Sequence, residues 1–422
     1  MKNNSNMNKI FFPNYNNTAY EAIGKVFTRL DLNVPLKLGE NTNQKINKFV
    51  ENSSPEKITN LFIIIADSMG YQNLIETNAF EKQREKNDVL ILDSVFPTVT
   101  PTIMSSLTHI LPPSKHELVG YCIYHPKIRN IINTINLRAE VNGEIVHIEK
   151  LGLSKSDILR GIPISKRIKE NLNEGKQKGD FIVYIPTELD SDGIGIYLYS
   201  KNKTVTYDSK NPFEILFKVN EYKKRMDQGE IIIHSIYLPH PDHASHYFGN
   251  NSKEYKNSVK LVEDLAIKIK QIFPESLILV TSDHGQVNLP KPNSKNRPKL
   301  SKKEIFNLKR QGVILGFSGR TIHFYYDKEK SHSVNAVDNF FEKYRLNEEN
   351  AYFIEINNQY KEIIGHSPSR NALEKLGNMV VIFSENFYLD HPATAETPHD
   401  NLLIAQHGGL TLRELKVPFI LL

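Results

Sequence analysis

The stretch FPTVTPTIMSSLTHILPPSKHELVGY, residues 96–121, decides the fold because it has the pattern of a turn that leads from a buried strand into a helix. An apolar run over residues 89–95 predicts the strand, and Pro97 ends it. Proline is favoured at the first position of a helix, so Pro101 makes Thr100 the predicted N-cap. Apolar residues then recur at helical spacing until two consecutive prolines end the pattern.

Thr100 therefore carries a hydroxyl on an exposed turn at the predicted N-terminus of a helix. Free backbone N–H groups and the positive end of the helix dipole suit a phosphate oxygen at such a position. The pattern leaves two interpretations open, a nucleophilic hydroxyl and a threonine that only caps the helix. Residues elsewhere in the chain favour the nucleophile.

Composition bounds the class of protein. The chain has 422 residues, of which 39% are hydrophobic and 24% charged, as in a soluble globular protein. Its formal net charge of +5 is small for this length, and its lysines and arginines are spread, so we expect no nucleic-acid duplex as a partner. The single cysteine, Cys122, excludes an intramolecular disulfide and a cysteine metal cluster. Any metal ion must be held by carboxylate, imidazole or hydroxyl groups.

The length is that of one large domain with insertions or of two to three smaller ones, and we expect the former. Residues 1–55 are rich in asparagine and weakly patterned, which indicates a leader packed on the main domain. That domain, residues 56–422, is expected to contain a cap inserted at roughly 122–210 and a polar loop excursion at roughly 286–316. No signal peptide or membrane span is indicated, so we expect a cytoplasmic protein with no membrane partner.

Two apolar runs are each followed at once by acidic residues. The run Leu61–Ala66 predicts a strand buried on both faces, and Asp67 follows it directly. The run Leu277–Thr281 predicts a similar strand, after which come Asp283 and His284. Open α/β sheets gather their active sites beyond the carboxyl ends of such strands. A single aspartate there is also common in ordinary turns, but the repetition favours a site.

A third apolar run, Ile231–Leu238, is followed by aspartate and histidine. Asp242 and His246 lie four positions apart in what the prolines predict to be a loop, which could aim both side chains at one point. A carboxylate with an imidazole suits zinc or manganese. His240 and His243 fall in the same loop, so spacing alone does not determine which histidine is a ligand. A merely polar loop is the alternative.

The end of the chain adds one more histidine. His407 is followed by Gly408 and Gly409, which permit close approach of the backbone to an ion or ligand. The apolar run Val417–Leu422 predicts the last strand. The strands and helices together predict an α/β fold of three layers, α/β/α, with a mostly parallel central sheet and an inserted cap.

The order of these residues resembles the metal and nucleophile signature of the alkaline phosphatase superfamily. Within it, the chain is most similar to the type I phosphodiesterase/nucleotide pyrophosphatase family. The resemblance spans roughly residues 61–422. The motifs that carry it are Phe96-Pro97 before Thr100, Pro113 and His116 after it, Ser282-Asp283-His284-Gly285, and His407-Gly408-Gly409 running to Val417-Pro418.

The resemblance implies two divalent metal ions, with zinc as the first expectation and manganese as the second. It implies two ligand sets: Asp67, Thr100, Asp283 and His284 for one ion, and Asp242, His246 and His407 for the other. Thr100 would be the nucleophile, and ions about 3.5–4 Å apart would clamp the entering and leaving oxygens of an in-line displacement. The implied partner is a small phosphorylated substrate, such as a nucleotide.

Two positions limit what carries over from the family. Its members have an asparagine three positions after the nucleophile that helps bind a phosphate oxygen, and this chain has Ile103 there, which leaves the oxyanion donor open. Arg320, before a predicted strand, is either a contact to a substrate anion or a surface or salt-bridge residue.

We therefore expect a metal-dependent hydrolase that cleaves a phosphodiester or pyrophosphate bond through Thr100. The first alternative is a phosphomonoesterase or phosphonate hydrolase using the same site. Sulfatase activity is disfavoured, because sulfatases of this superfamily mature a cysteine or serine at the nucleophile position. An alternative of another class is a non-catalytic or defence-associated member that binds a partner.

Overall fold

The computed structural model describes residues 10–33, 43–175, 177–189, 193, 195, 198, 203–356, 361–392 and 403–422. The predicted leader, 1–55, and the predicted cap, 122–210, each include residues that lie outside these ranges. The strands, numbered in chain order, are β1 Asn60–Ala66, β2 Val89–Asp93, β3 Cys122–His125, β4 Asn130–Asn133, β5 Arg138–Val141, β6 Glu144–His147, β7 Gly179–Pro186, β8 Lys203–Tyr207, β9 Ile231–Leu238, β10 Leu277–Thr281, β11 Val287–Asn288, β12 Val313–Ser318, β13 Thr321–Tyr326, β14 Ala351–Glu355, β15 Met379–Phe383, β16 Ala405–Gln406 and β17 Lys416–Leu421.

The α-helices are numbered in the same way. They are α1 Ala19–Phe27, α2 Gln44–Ser53, α3 Tyr71–Thr77, α4 Glu81–Glu85, α5 Thr100–His109, α6 Pro113–His116, α7 Lys155–Ile158, α8 Ile164–Glu174, α9 Glu214–Asn220, α10 Lys223–Asp227, α11 His240–Phe248, α12 Lys253–Ile272, α13 Lys302–Arg310, α14 Ser331–Tyr344, α15 Arg370–Leu376 and α16 Leu412–Leu415.

A 7-stranded sheet in the order β2-β17-β10-β1-β9-β7-β8 forms the centre of the molecule. Strand β1 pairs in parallel with both β10 and β9, and β9, β7 and β8 continue in parallel. Only β17 reverses direction, and it runs antiparallel to β10 and β2. The predicted α/β fold with a mostly parallel central sheet is confirmed. Because β1 lies between β9 and β10, the carboxyl ends of these three strands meet.

Alternation along β1 shows why helices cover both faces of this sheet. Leu61, Ile63 and Ile65 pack into one core with α1, α2, α5 and α8. Phe62 and Ile64 point the other way, into a second core with α3, α9 and α12. Since both sets of side chains are buried, every position from Leu61 to Ala66 is apolar. Truncating Ile64 to alanine would cost about 2–5 kcal/mol of unfolding free energy.

The range predicted to be a cap is divided between two sheets. Strands β3 to β6 belong to a second, 8-stranded sheet in the order β14-β15-β13-β12-β3-β4-β5-β6. Strands β7 and β8 belong to the central sheet, so the range 122–210 is divided between the core and the second sheet and does not form one cap. The physical reason is that β7 is apolar and buried over residues 181–186, and a place in the central sheet covers both of its faces.

The described part of the leader and the predicted excursion both contain helices. Helices α1 and α2 pack against the central sheet, and the hydroxyl of Tyr15 donates to the carbonyl of Ile363 at 2.8 Å. The excursion 286–316 holds β11, α13 and the start of β12, and α13 begins at a capping box formed by Ser301 and Glu304. Among the described residues, no helix is both long and apolar enough to cross a membrane. The cytoplasmic location stays a prediction.

Candidate active site

The ends of β1 and β10 bring two carboxylates and an imidazole together. Asp67 follows β1, and Asp283 and His284 follow β10; all three side chains are buried. The Nε2 atom of His284 lies 3.5 Å from Asp67 Oδ1 and 3.3 Å from Asp283 Oδ2. Ser68, at a left-handed φ of 63°, turns its backbone N–H to donate to Asp283 Oδ1 at 3.0 Å. The two strand ends are therefore tied to each other directly.

Thr100 lies beside this cluster at the first residue of α5. Its Oγ1 is 3.3 Å from His284 Nε2 and 3.4 Å from the hydroxyl of Tyr121. The prediction that Thr100 caps the helix is wrong, because the helix begins one residue earlier and Val99 is the N-cap. The carbonyl of Val99 already accepts the N–H of Ile103 at 3.1 Å. The Thr100 hydroxyl is thus directed to the cluster and not to the helix backbone.

Asp242 and His246 lie on a helix and not in the predicted loop. They are one turn apart in α11, which places them on one face, with His246 Nε2 at 3.2 Å from Asp242 Oδ1. The prolines at 239 and 241 suggested a loop, but proline is tolerated in the first turn of a helix. Of the other two histidines, His240 bonds the carbonyl of Ser209, and His243 is exposed. The structure therefore pairs His246 with Asp242.

His407 completes the cluster from the carboxy-terminal loop. Its ring stacks on that of His284 with centroids 3.8 Å apart, and its Nε2 lies 3.8 Å from Asp242 Oδ1. Its Nδ1 donates to the carbonyl of Thr98 at 2.7 Å, which fixes the tautomer and leaves the Nε2 lone pair facing the cluster. His246 is oriented in the same way, with Nδ1 at 2.8 Å from the carbonyl of Ala405.

Two groups of side chains have donor atoms close enough to share one cation. One comprises Asp67, Asp283 and His284, and the other Asp242, His284 and His407. The first contains three of the four ligands implied for one ion, of which the fourth is Thr100. The second contains His284 where the implied set has His246, which joins the group through Asp242. His284 is therefore a member of both groups of candidate ligands.

The chemistry of these residues fits divalent cations. Asp67 Oδ1 and Asp283 Oδ2 are buried and have no hydrogen-bond partner. Leaving a buried carboxylate oxygen unpaired costs free energy that a bound cation would offset. Their other oxygens are already held, Asp67 Oδ2 by the hydroxyl of Tyr237 and Asp283 Oδ1 by backbone N–H groups. Such outer contacts are the usual support of metal ligands.

The ionisation of the cluster also favours a cation. Burial, followed by the charges of Asp283 and Asp242, raises the pKa of Asp67 well above its usual range. Burial would also raise the pKa of Asp242, but the charge of His246 and a hydrogen bond to it lower the pKa below the ordinary value. Burial, aided by the neighbouring His284, holds the pKa of His407 well below its usual range. His407 is thus neutral at pH 7, as a metal ligand must be.

Arg320 is not at the cavity. Its side chain is fully buried, and Nη1 donates to Glu414 Oε2 at 2.7 Å while Nη2 donates to the carbonyl of Phe383 at 2.8 Å. Arg320 therefore forms a salt bridge, which was the second of its two expected roles, and lies away from the place where a substrate anion was expected. Glu414 Oε1 in turn accepts the N–H of Gly409 at 2.8 Å, so the ion pair holds the loop that carries His407.

Gly408 is required by backbone packing in that loop. Its φ is 108°, and a Cβ atom would lie 2.1 Å from the carbonyl oxygen of Ser318. The close approach predicted from the glycines is thus to another backbone segment. The backbone N–H of Gly408 also donates a hydrogen bond to Thr98 Oγ1 at 3.0 Å. The loop with His407 and the residues before Thr100 consequently form one unit.

A cavity of about 310 Å³ opens over the cluster. Its described lining residues are Asp67, Thr100, Pro101, Met104, Tyr121, Ile135, Asn136, Ile185, Leu189, Gly193, Gly195, Leu198, Tyr237 and Asp242. The sequence did not identify three side chains of the site. Tyr121 and Tyr237 line the cavity, and the side-chain amide of Gln286 donates to Asp242 Oδ1. The register of the strands could have predicted Tyr237, because Tyr237 pairs with Ile65 and so lies next to the end of β1.

Comparison with known proteins identifies a family and a fold. A family model described as type I phosphodiesterase/nucleotide pyrophosphatase matches residues 61–409. Among solved structures, murine ectonucleotide pyrophosphatase/phosphodiesterase 5 is similar with 14% identity and a TM-score of 0.57, over 85% of this chain and 87% of that one. The same murine protein has been solved as an inactive threonine-to-alanine variant in complex with AMP.

A second similar structure is a phosphonate enzyme. Phosphonoacetate hydrolase from Sinorhizobium meliloti 1021, solved with phosphonoacetate, has 15% identity and a TM-score of 0.56, over 85% of this chain and 89% of that one. No match was found among curated protein sequences. At these identities the solved structures establish the fold, and the family model establishes the relationship.

Proposed function

Because the chain belongs to the type I phosphodiesterase/nucleotide pyrophosphatase family, we propose that this hydrolase cleaves a phosphodiester or pyrophosphate bond with Thr100 as its nucleophile. One observation carries the proposal. The Thr100 hydroxyl, at a helix N-terminus that opens into the cavity, lies 3.3 Å from His284 and beside two buried carboxylates with unpaired oxygens. A threonine essential to activity has a precedent in the murine relative, whose threonine-to-alanine variant is described as inactive.

The proposed reaction has two displacements. In the first, Thr100 Oγ1 forms a bond to phosphorus while the bond from phosphorus to the leaving oxygen breaks. The hydroxyl proton passes to solvent, and the leaving oxygen takes a proton from solvent. In the second, a water molecule attacks the Thr100 ester, the bond between Oγ1 and phosphorus breaks, and Oγ1 regains a proton.

Two divalent cations are proposed as the cofactors, with zinc first and manganese second. Asp67, Thr100, Asp283 and His284 would hold one ion, and Asp242, His246 and His407 would hold the other. His284 has a donor atom close to both groups of ligands. When bound, the ions supply charge that stabilises the entering and leaving oxygens and lowers the pKa of the nucleophile. The residues of this chain supply a rigid frame, since Asp67, His246 and His407 are each fixed by a second contact.

The cavity favours a substrate whose substituent beyond phosphorus is uncharged. The described lining includes no lysine, arginine or histidine, and apolar side chains such as Ile185, Leu189 and Leu198 form its wall. A phosphodiester with an apolar or aromatic group fits this wall without an unpaired charge. A nucleoside monophosphate ester is one such compound, and the AMP bound to the murine relative supports that class.

Phosphonate hydrolysis is the second candidate, because the fold is about as similar to phosphonoacetate hydrolase as to the murine protein. Phosphonoacetate carries a carboxylate that would need a cationic partner. Since no described lining side chain offers one, we rank this candidate below the diester. Phosphomonoester hydrolysis and a non-catalytic role remain the further alternatives.

A side-by-side assay tests the proposal. Metal-loaded wild type, Thr100→Ser, Thr100→Ala and Thr108→Ala are each assayed with four substrates. These are an aryl phosphodiester, a dinucleoside polyphosphate, an aryl phosphomonoester and phosphonoacetate. Thr108 is the matched control, because it lies on the same helix and its hydroxyl bonds only the local backbone and His109. We expect the diester to be preferred to the other three compounds, with kcat of Thr100→Ala lower by on the order of 10³-fold or more. Equal turnover by Thr100→Ala and Thr108→Ala would refute the proposal.

A further inference from the structure

We infer that the side-chain oxygen of Gln286, Oε1, is a further ligand of one of the two proposed ions. That ion is the one assigned to Asp242, His246 and His407. The inference rests on the two-ion site of the proposed function, and it adds a residue to the ligand set that the family resemblance implies. It also bears on the identity of the metal, because an amide oxygen and an imidazole favour different ions.

The side-chain amide of Gln286 contacts the carboxylate oxygen around which this ligand group is arranged. Its Nε2 donates to Asp242 Oδ1. The same Oδ1 atom lies 3.2 Å from His246 Nε2 and 3.8 Å from His407 Nε2. Atoms that share one ion have separations of this order, because bonds of about 2.0–2.2 Å join oxygen and nitrogen ligands to zinc. The amide of Gln286 is therefore adjacent to the position of the ion.

The oxygen of this amide is buried and unpaired. The Gln286 side chain is fully buried, and its Oε1 accepts no hydrogen bond from the described residues. An unpaired carbonyl oxygen in the interior costs free energy that a bound cation offsets. Half a turn of the terminal amide exchanges Oε1 with Nε2, and this torsion is roughly two-fold. Oε1 then faces Asp242 Oδ1, and a cation bound to both oxygens stabilises that arrangement.

The backbone of Gln286 is tied to the helix that carries two of the assigned ligands. Its carbonyl accepts a hydrogen bond from Asn250 Nδ2 at 2.7 Å. Asn250 Oδ1 in turn accepts the hydroxyl of Ser245, which precedes His246 in α11. Because Asn250 and Ser245 are both buried, these bonds fix Gln286 relative to the helix.

A second connection joins Gln286 to the loop of His407. Gln286 directly precedes β11, and Val287 of that strand pairs with Gln406, the residue before His407. The partner strand, β16, also orients His246 through a backbone carbonyl. Gln286 and the assigned ligands thus belong to one connected frame. The amide can reach the ion by rotation of its side chain, without a movement of the backbone.

An amide oxygen changes which metal the site favours. Carbonyl and carboxylate oxygens suit manganese, whereas imidazole suits zinc. The assigned set offers two imidazoles and one carboxylate, and Gln286 adds a second oxygen ligand to the carboxylate of Asp242. We therefore expect Gln286 to strengthen manganese binding at this position more than zinc binding.

Gln286→Leu tests the inference because leucine has neither the amide oxygen nor the amide nitrogen. Gln177→Leu is the matched control: Gln177 precedes β7, and its amide bonds only backbone groups of Asp31 and Asn33. Manganese and zinc are titrated separately into metal-free protein, and the binding step that His246→Ala abolishes identifies the ion. We expect Gln286→Leu to weaken manganese binding in that step at least about tenfold more than zinc binding. Gln177→Leu should change neither.

The alternative role is an outer contact, in which the amide keeps its hydrogen bond to Asp242 and only orients the carboxylate. Loss of an outer contact weakens metal binding about 10- to 100-fold, and it should do so alike for both metals. Equal losses for manganese and zinc in Gln286→Leu, or no loss, would overturn the inference.

A crystal structure of zinc-loaded wild-type protein provides a test that needs no variant. We expect Gln286 Oε1 at about 2.0–2.2 Å from the ion, the length of a bond between zinc and oxygen. An amide that still donates to Asp242 and lies beyond bonding distance of the ion would overturn the inference.

Metal binding separates this inference from the proposed function. If wild type hydrolyses none of the four substrates but Gln286→Leu shows the selective loss of manganese, the proposed function fails and the role of Gln286 stands. If Thr100→Ala loses turnover as expected while Gln286→Leu binds both metals as wild type does, the proposed function stands and the role of Gln286 is overturned.

Discussion

Glu414→Gln should destabilise the protein far more than an ordinary surface change. The Glu414 carboxylate accepts four hydrogen bonds: from Arg320 at 2.7 Å, from Gly409 N at 2.8 Å, and from Thr411 N and Oγ1 at 3.2 and 2.8 Å. Glutamine keeps the shape but replaces one acceptor oxygen by a donor that faces these donors. It also leaves the guanidinium of Arg320 buried without a counter-charge.

The expected loss is about 3–5 kcal/mol of unfolding free energy, the usual cost of removing one partner from a buried ion pair. Urea denaturation followed by circular dichroism and by fluorescence measures it. The matched control is Glu355→Gln, which breaks the exposed ion pair with Lys328 and should cost about 1 kcal/mol or less. The double variant Arg320→Met/Glu414→Gln should recover part of the loss, because no unpaired charge remains.

The same change should also reach the site. Glu414 anchors Gly409, two residues after His407, so the ion that His407 holds should be bound more weakly in Glu414→Gln than in Glu355→Gln. Metal content by elemental analysis after dialysis measures this. A loss of stability below about 1 kcal/mol for Glu414→Gln would refute the argument that the buried pair organises the loop.

Three further predictions concern metals and pH. Purified protein should hold two divalent ions per chain, and their removal by a chelator should lower the melting temperature; a chain without metal that is indifferent to added zinc or manganese would contradict the site. His246→Ala should deplete one ion and Asp283→Ala the other, while His284→Ala should weaken both; depletion of the same ion by the first two would contradict the division. Burial lowers the pKa of Lys375 from 10.5 to about 8, so the unfolded chain holds this proton more tightly and stability should rise as pH increases from 8 to 10.5. Lys375→Met should lack that rise, which amounts to at most about 3 kcal/mol, and equal urea midpoints against pH for both proteins would contradict it.

The sequence was most informative where buried strands end in polar residues. The apolar runs before Asp67 and Asp283 can only be accommodated by a sheet covered on both faces, and parallel strands then bring their ends to one edge. That reasoning predicted the central sheet and the neighbourhood of the cluster. It also predicted the helix that follows Thr100, with an error of one residue at its start.

What the sequence could not give depends on contacts between distant segments. Prolines around Asp242 are compatible with either a loop or the first turn of a helix, and packing decides for the helix. Nothing local distinguishes an arginine that binds an anion from Arg320, whose partner Glu414 lies 94 positions away. Tyr121 lies beside Thr100 only because the strands that follow it join a second sheet. Such placements follow from tertiary packing, which residue spacing does not encode.

The stereochemistry at phosphorus tests the central claim most directly. A chiral phosphodiester made with sulfur and oxygen isotopes is hydrolysed by metal-loaded wild-type protein, and the configuration of the product is determined. Each in-line displacement inverts phosphorus. Attack by Thr100 followed by attack by water therefore predicts net retention of configuration. Net inversion would mean that water attacks the substrate directly and that Thr100 forms no covalent intermediate.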